Sequence, residues 1–307
     1  MTALPCLFPL AIAAWTDLGT ALLALLALVA LVLGRRRLAG TTLLAVWNWC
    51  AIALLAEAIV HVADGCGGSA RQWGQTLETW AAILVLAPTA GLLGAKRPQD
   101  RAWQWIVVTL LVVLAQPNAA RWLLAKPGPT EFDGLRASLV VGLVAIGWGN
   151  YLPTKHRLAA TFAALGQLSL LSSQLPGGPS AMAGLGLTDP SLVGGALLAL
   201  AAWVALARSR PRSTAGGIEA AWADFRQAYG LLWAVRVRER FETAMRASGC
   251  PLRLEPSGWI RSAELTAVDE QAAERLLESL LSRFVEPRWW LPDVGAIEEL
   301  PASRPTE

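Results

Sequence analysis

The chain has 307 residues, of which 54% are hydrophobic and 16% charged, with 26 Lys and Arg against 23 Asp and Glu. Charge divides by region: residues 1–214 carry 15 basic and 8 acidic groups and residues 215–307 carry 11 and 15, so a pI near 8.9 reflects membrane orientation and gives no footprint for nucleic acid. Two histidines and four cysteines without CxxC or CxxCH exclude a thioredoxin-like motif, a c-type haem attachment and a three-histidine zinc site.

Seven apolar stretches set the pattern, at 18–34, 41–63, 77–95, 103–125, 135–152, 158–175 and 192–207. A helix needs roughly 20 apolar residues to cross a hydrocarbon core about 30 Å thick, so the shorter stretches imply tilt or local thinning. Open sheets would leave edge amides without partners in lipid. The expected fold is an all-α polytopic membrane protein with about seven transmembrane helices and a small α+β cytosolic C-terminal domain. The expected domains are 1–208 in the membrane, a linker at 209–217, a helix–hairpin–helix unit at 218–290 and a disordered tail at 291–307.

The first stretch has no positive charge before it and is closed by Arg35, Arg36 and Arg37, unlike a cleaved secretory signal. It reads as a retained anchor, with apolar residues 5–15 lying at the outer interface. Counting along the loops, eleven Lys and Arg fall on the side of Arg35 and only Arg71, Lys126 and Arg136 on the other. The positive-inside bias therefore predicts an outside N-terminus and a cytoplasmic C-terminus. Only Lys96, Lys126 and Lys155 are lysines among the basic residues, and Ala, Leu, Gly and Pro abound, a composition typical of GC-rich bacterial coding. The expected location is the bacterial inner (cytoplasmic) membrane.

The second stretch places Cys50, Glu57 and His61 on one helix face, at spacings of seven and four. Glu78 opens the third stretch on the same side, and Gln116, Asn118 and Arg121 close the fourth after Pro117, which can kink a helix. Glu57, His61, Glu78, Gln116, Asn118 and Arg121 are thus a candidate intramembrane polar cluster near the outer end. Ionisable groups in lipid are costly and mark cavities, paths or partners. Three chemistries fit: an ion-pair lock built on Arg121, a proton or solute path through Glu57 and His61, and a site where His61 and carboxylates hold a metal. His156, in an inner loop, cannot share a haem with His61. The pattern alone names no catalytic residue, metal or cofactor. A retinal Schiff base has no lysine in any span, and no Walker loop, HExxH or GxSxG occurs.

Cys6 and Cys66 both fall on the predicted outer side, where a disulfide could form. Gly147, Gly149, Gly194 and Gly195 offer close helix approach. Seven spans do not divide into the equal halves of many secondary transporters.

In the tail, residues 218–247 have helical spacing, with an aromatic stripe through Trp222, Phe225, Tyr229, Trp233 and Phe241. Trp222, Phe225, Arg226, Tyr229, Trp233, Arg236 and Arg240 are candidate contacts to the membrane surface or a partner; the competing reading makes the stripe the unit's own core. Pro256-Ser257-Gly258 predicts a hairpin turn, and Thr266 caps a helix over 267–284. About 75 ordered residues form a small core, so docking on the bilayer or on a protein partner would help it. The pattern is silent on oligomeric state. The expected role is a non-enzymatic scaffold, assembly factor or sensor presenting the tail. The alternative is a small-solute or proton-coupled transporter or channel, and the third reading is a membrane-embedded enzyme.

Overall fold

A computed structural model describes residues 4–65, 71–97, 99–124, 131–209, 217–250, 252–255, 258–260 and 267–289. Cys66, residues 210–216 of the linker, the Pro256-Ser257 turn, Thr266 and the 291–307 tail lie outside the described residues, as do the side chains of Cys6 and Arg121. The chain divides into two compact units, Met1–Leu38 with Thr42–Arg210, and Ala39–Thr41 with Pro211–Glu307.

The first unit is helical throughout. Its elements are α1 (Leu4–Gly34), α2 (Leu43–Gly65), α3 (Arg71–Leu84), α4 (Ala87–Leu93), α5 (Asp100–Leu123), α6 (Gly134–Tyr151), α7 (Arg157–Leu170), α8 (Gly178–Gly184) and α9 (Pro190–Arg208). Five stretches are long and apolar enough to cross a membrane: Trp15–Leu38, Leu43–Gly65, Thr76–Leu93, Arg101–Ala120 and Pro190–Arg208. The architecture is that of an all-α membrane protein. The two remaining apolar stretches form α6, of 18 residues, and α7, of 14. At 1.5 Å per residue α7 rises about 21 Å, and backbone bonds from Leu171 to Gln167 and from Leu175 to Leu171 carry its coil further.

Two boundaries differ from the sequence reading. Residues 5–15 continue α1 as helix, since no polar run or glycine stops the helix before Asp17. The third stretch is two helices: Pro88 sits in the first turn of α4, where its missing N–H costs nothing. The break frees the Val85 carbonyl, and Gln167 of α7 donates Nε2 to it at 2.7 Å. Pro117, by contrast, stays inside α5.

α1 packs on α2 and α9, α9 on α7, α7 on α6, α6 on α4 and α4 on α2, while α3 lies against α2 and α5. Leu86, Val107, Leu114, Val140 and Leu171 fill the core between them. Asp133 and Asp189 cap α6 and α9 by accepting from Arg136 and Leu192 backbone N–H groups. Arg37 donates to the Leu206 and Ser209 carbonyls at the end of α9. Gly166 of α7 and Gly194 of α9 meet backbone to backbone, so a Cβ on either would stand 3.1 Å from the other's carbonyl oxygen. Leu22 and Val29 of α1, Val112 of α5 and Leu139 and Ile146 of α6 point outward, an apolar surface suited to lipid and unsuited to water.

The second unit contains α10 (Gly217–Ala247), β1 (Arg253–Glu255), β2 (Gly258–Ile260) and α11 (Ala267–Leu281). Gly230 breaks α10 with φ 77° and ψ −170°, a conformation open to glycine alone. β1 and β2 pair antiparallel, Leu254 opposite Trp259. Phe284 is central: the rings of Phe225, Tyr229 and Trp233 meet it edge-on at 5.1, 5.3 and 4.9 Å. Tyr229 Oη donates to the Phe284 carbonyl at 2.9 Å and Trp222 Nε1 to the Glu255 carbonyl at 2.7 Å. Trp222, Phe225, Tyr229 and Trp233 are buried inside the unit, because the kink folds both halves of α10 around Phe284. Arg226 is half-buried, and the outward-facing members of that set are Arg236, stacked over Trp233 at 5.0 Å, and Arg240. Residues 39–41 complete this unit: Thr41 bridges Val285 antiparallel, and the Glu286 N–H donates to the Gly40 carbonyl at 2.8 Å.

Candidate functional site

Four titratable side chains from three helices meet at one end of the helical unit. The i,i+4 spacing on α2 stacks Glu57 and His61 on one face, and puts Glu57 Oε2 3.6 Å from His61 Nε2. α1 brings Asp17 Oδ1 to 3.6 Å from His61 Nδ1. α3 adds Glu78: Asp17, His61 and Glu78 present ligand atoms all within 4.8 Å of one another. His61 is 2% exposed and Glu57 4%, while Asp17 and Glu78 are half-buried and open the cluster toward the surface. Asp64 lies within electrostatic reach of Glu78 and adds to the negative field.

Short hydrogen bonds do not hold this arrangement together; the Glu57–His61 contact is a long one. Protein N–H···O bonds run from about 2.7 to 3.2 Å, shorter than the 3.6 Å separations found here. His61 Nδ1 and Glu57 Oε1 are buried without a hydrogen-bond partner. Among the described residues, no Lys or Arg pairs with Asp17, Glu57, His61 or Glu78. Among the described residues, three carboxylates face one imidazole in a medium that penalises buried charge. The chemistry such a group performs best is to take up positive charge, as a proton or a metal cation.

No family model, curated protein or solved structure matches this chain.

The structure brings together Glu57, His61 and Glu78 of the sequence-derived cluster. Gln116 is placed elsewhere: it is exposed and accepts from Arg136 Nη2 at 3.2 Å. Asn118 is buried, with an Oδ1 that has no partner. Sequence reasoning missed Asp17, which precedes the first apolar stretch by one residue. Its signal was present: Asp17 is the one charged residue in the 31 residues of α1. Cys50, on the same helix as Glu57, carries a free thiol.

The second histidine sits apart. His156 precedes α7, half-buried, with its backbone N–H donating to Thr154 Oγ1. Burial, helped by the nearby charges of Lys155 and Arg208, pushes its imidazole down to about 4. It is neutral at physiological pH.

Proposed function

We propose that this chain is a multi-pass membrane sensor: the helical unit takes up a cation at Asp17, Glu57, His61 and Glu78, and the C-terminal unit reports its occupancy. The observation that carries the reading is the buried His61, 3.6 Å from Asp17 on one nitrogen and 3.6 Å from Glu57 on the other, with no basic side chain among the described residues to balance them. A site that gathers buried carboxylates changes energy sharply on gaining positive charge, and any element differing between the two states follows that change. The output side is supported by connectivity. α1 carries Asp17, α2 carries Glu57 and His61, and the residues joining these helices include Ala39–Thr41, which fold with the C-terminal unit.

In this reading all seven apolar stretches cross the membrane, α6 and α7 included. The outward-facing Leu139 and Ile146 on α6 support that count. The N-terminus lies outside and the C-terminal α+β unit in the cytoplasm of a bacterial inner membrane, in keeping with the eleven-to-three distribution of basic loop residues.

The test is hydrogen exchange on the full-length protein in nanodiscs, read at residues 39–41 and 284–286 while pH and divalent cations are varied. Protection that changes in the wild type and not in Glu57→Gln supports the sensor. A response identical in both removes it. One observation favours a transport reading as the runner-up: the third apolar stretch is interrupted at Val85–Leu86, and interrupted helices are common in transporters. Cation flux into proteoliposomes that Glu57→Gln abolishes would decide for transport.

A further inference from the structure

We infer that Asp17, His61 and Glu78 bind one divalent first-row transition-metal ion of the zinc class, with Glu57 acting as a positioning residue for His61. This rests on the cation-uptake reading above and names its ligand. Bonds of about 2.0–2.2 Å to a tetrahedral ion place the ligand atoms roughly 3.3–3.6 Å from each other. Asp17 Oδ1 and His61 Nδ1 are 3.6 Å apart, too far to share a proton and right for sharing an ion. Glu78 offers the third ligand, its carboxylate lying within 4.8 Å of the other two and needing to close inward to reach the tetrahedral spacing; its partial exposure leaves room for a fourth ligand from solvent.

The unpartnered atoms point the same way. His61 is 2% exposed, and its Nδ1 meets no donor or acceptor at hydrogen-bonding distance. Its other nitrogen, Nε2, faces the buried Glu57 carboxylate. A carboxylate on that side can fix the tautomer of a metal-bound histidine once it closes from 3.6 Å to hydrogen-bonding distance: Nε2 then keeps its proton toward Glu57, and the Nδ1 lone pair is free to coordinate. One imidazole with two carboxylates suits zinc, manganese, iron(II) or cobalt(II). An all-oxygen set would instead suit magnesium or calcium.

The experiment uses full-length protein in nanodiscs, stripped with chelator and then titrated with Zn²⁺ and, for its absorption bands, Co²⁺. The expected result is one equivalent bound per chain, Co²⁺ bands that Zn²⁺ displaces, and no competition from Mg²⁺ or Ca²⁺. His61→Ala and Asp17→Asn should abolish the Co²⁺ bands. Glu57→Gln should keep the stoichiometry but weaken binding about 10–100-fold. If a variant fails to fold, the wild-type titration still decides. Absence of saturable Zn²⁺ and Co²⁺ binding overturns the assignment, as does binding that survives both His61→Ala and Asp17→Asn. If metal binding is absent but pH still shifts protection at 39–41 in the wild type and not in Glu57→Gln, the metal falls and the cation reading stands, with the proton as ligand. If both responses are absent, both fall.

Discussion

Gln167 Nε2 donates to the Val85 carbonyl at 2.7 Å, tying α7 to the point where the third apolar stretch breaks. Val85 is buried, and α4 starts afresh two residues later, so no helical N–H serves that oxygen. Gln167→Leu should therefore cost about 1–3 kcal/mol, the usual penalty for a buried acceptor stripped of its donor. Thermal unfolding in detergent should show a lower Tm for this variant, and an unchanged Tm would mean that another donor replaces Gln167.

Gly194 makes a contrasting prediction with Gly149. A Cβ at Gly194 would stand 2.6 Å from Leu170 Cγ and 3.1 Å from the Gly166 carbonyl oxygen, whereas one at Gly149 meets nothing within 4 Å. Gly194→Ala should separate α7 from α9 and destabilise by about 1–3 kcal/mol. Gly149→Ala should be neutral or stabilising by up to about 1 kcal/mol, from helix propensity. Melting curves of the two variants, side by side, check the sign of each.

Where tertiary contact was not needed, the sequence spoke clearly. The apolar stretches 41–63 and 192–207 became α2, Leu43–Gly65, and α9, Pro190–Arg208, because sustained apolarity without charge is a local property. Pro88 was visible within the third stretch, but proline opens a new helix as readily as it kinks an old one. The Gln167 bond that serves the freed Val85 carbonyl comes from a distant helix and is not written in the segment itself. Glu57 and His61 were legible from their i,i+4 spacing. Asp17 stood out only as the one charged residue of α1; its partnership was not legible, since its partners lie on other helices and helix neighbours are not written in the spacing of one segment. The contacts of Ala39–Thr41 with the C-terminal unit include the Thr41–Val285 bridge and the Glu286 hydrogen bond to Gly40, pairings that leave no periodic trace.

Tyr229→Phe isolates one hydrogen bond in the C-terminal unit. The ring stays against Phe225 and Phe284, and only the Oη that donates to the Phe284 carbonyl is lost. The expected loss is about 1–3 kcal/mol, read as faster amide exchange across α10 and α11 in the full-length chain. Exchange confined to wild-type rates would show that the carbonyl is otherwise served.

His156 predicts a pH dependence. Its imidazole is lowered from an ordinary 6.5 to about 4 by burial and by the charges of Lys155 and Arg208, so between these values the unfolded chain binds more protons than the folded one. Its contribution is fully present above 6.5 and is lost as pH falls through that window. His156→Gln should remove this dependence. The Tm difference between wild type and variant should be flat above pH 6.5 and should shift against the wild type down to pH 4; parallel curves throughout would refute the assignment.

The pairing of Thr41 with Val285 also fixes an order of events during synthesis. Gly40 and Thr41 leave the ribosome with the first two helices, and Val285 and Glu286 follow only after every helix of the membrane unit has been made. The C-terminal unit cannot close until then. A chain interrupted before Val285 would leave an open strand segment between α1 and α2, a recognisable mark of an unfinished protein. A C-terminal fragment expressed alone would be short of a piece that lies far upstream in its own sequence.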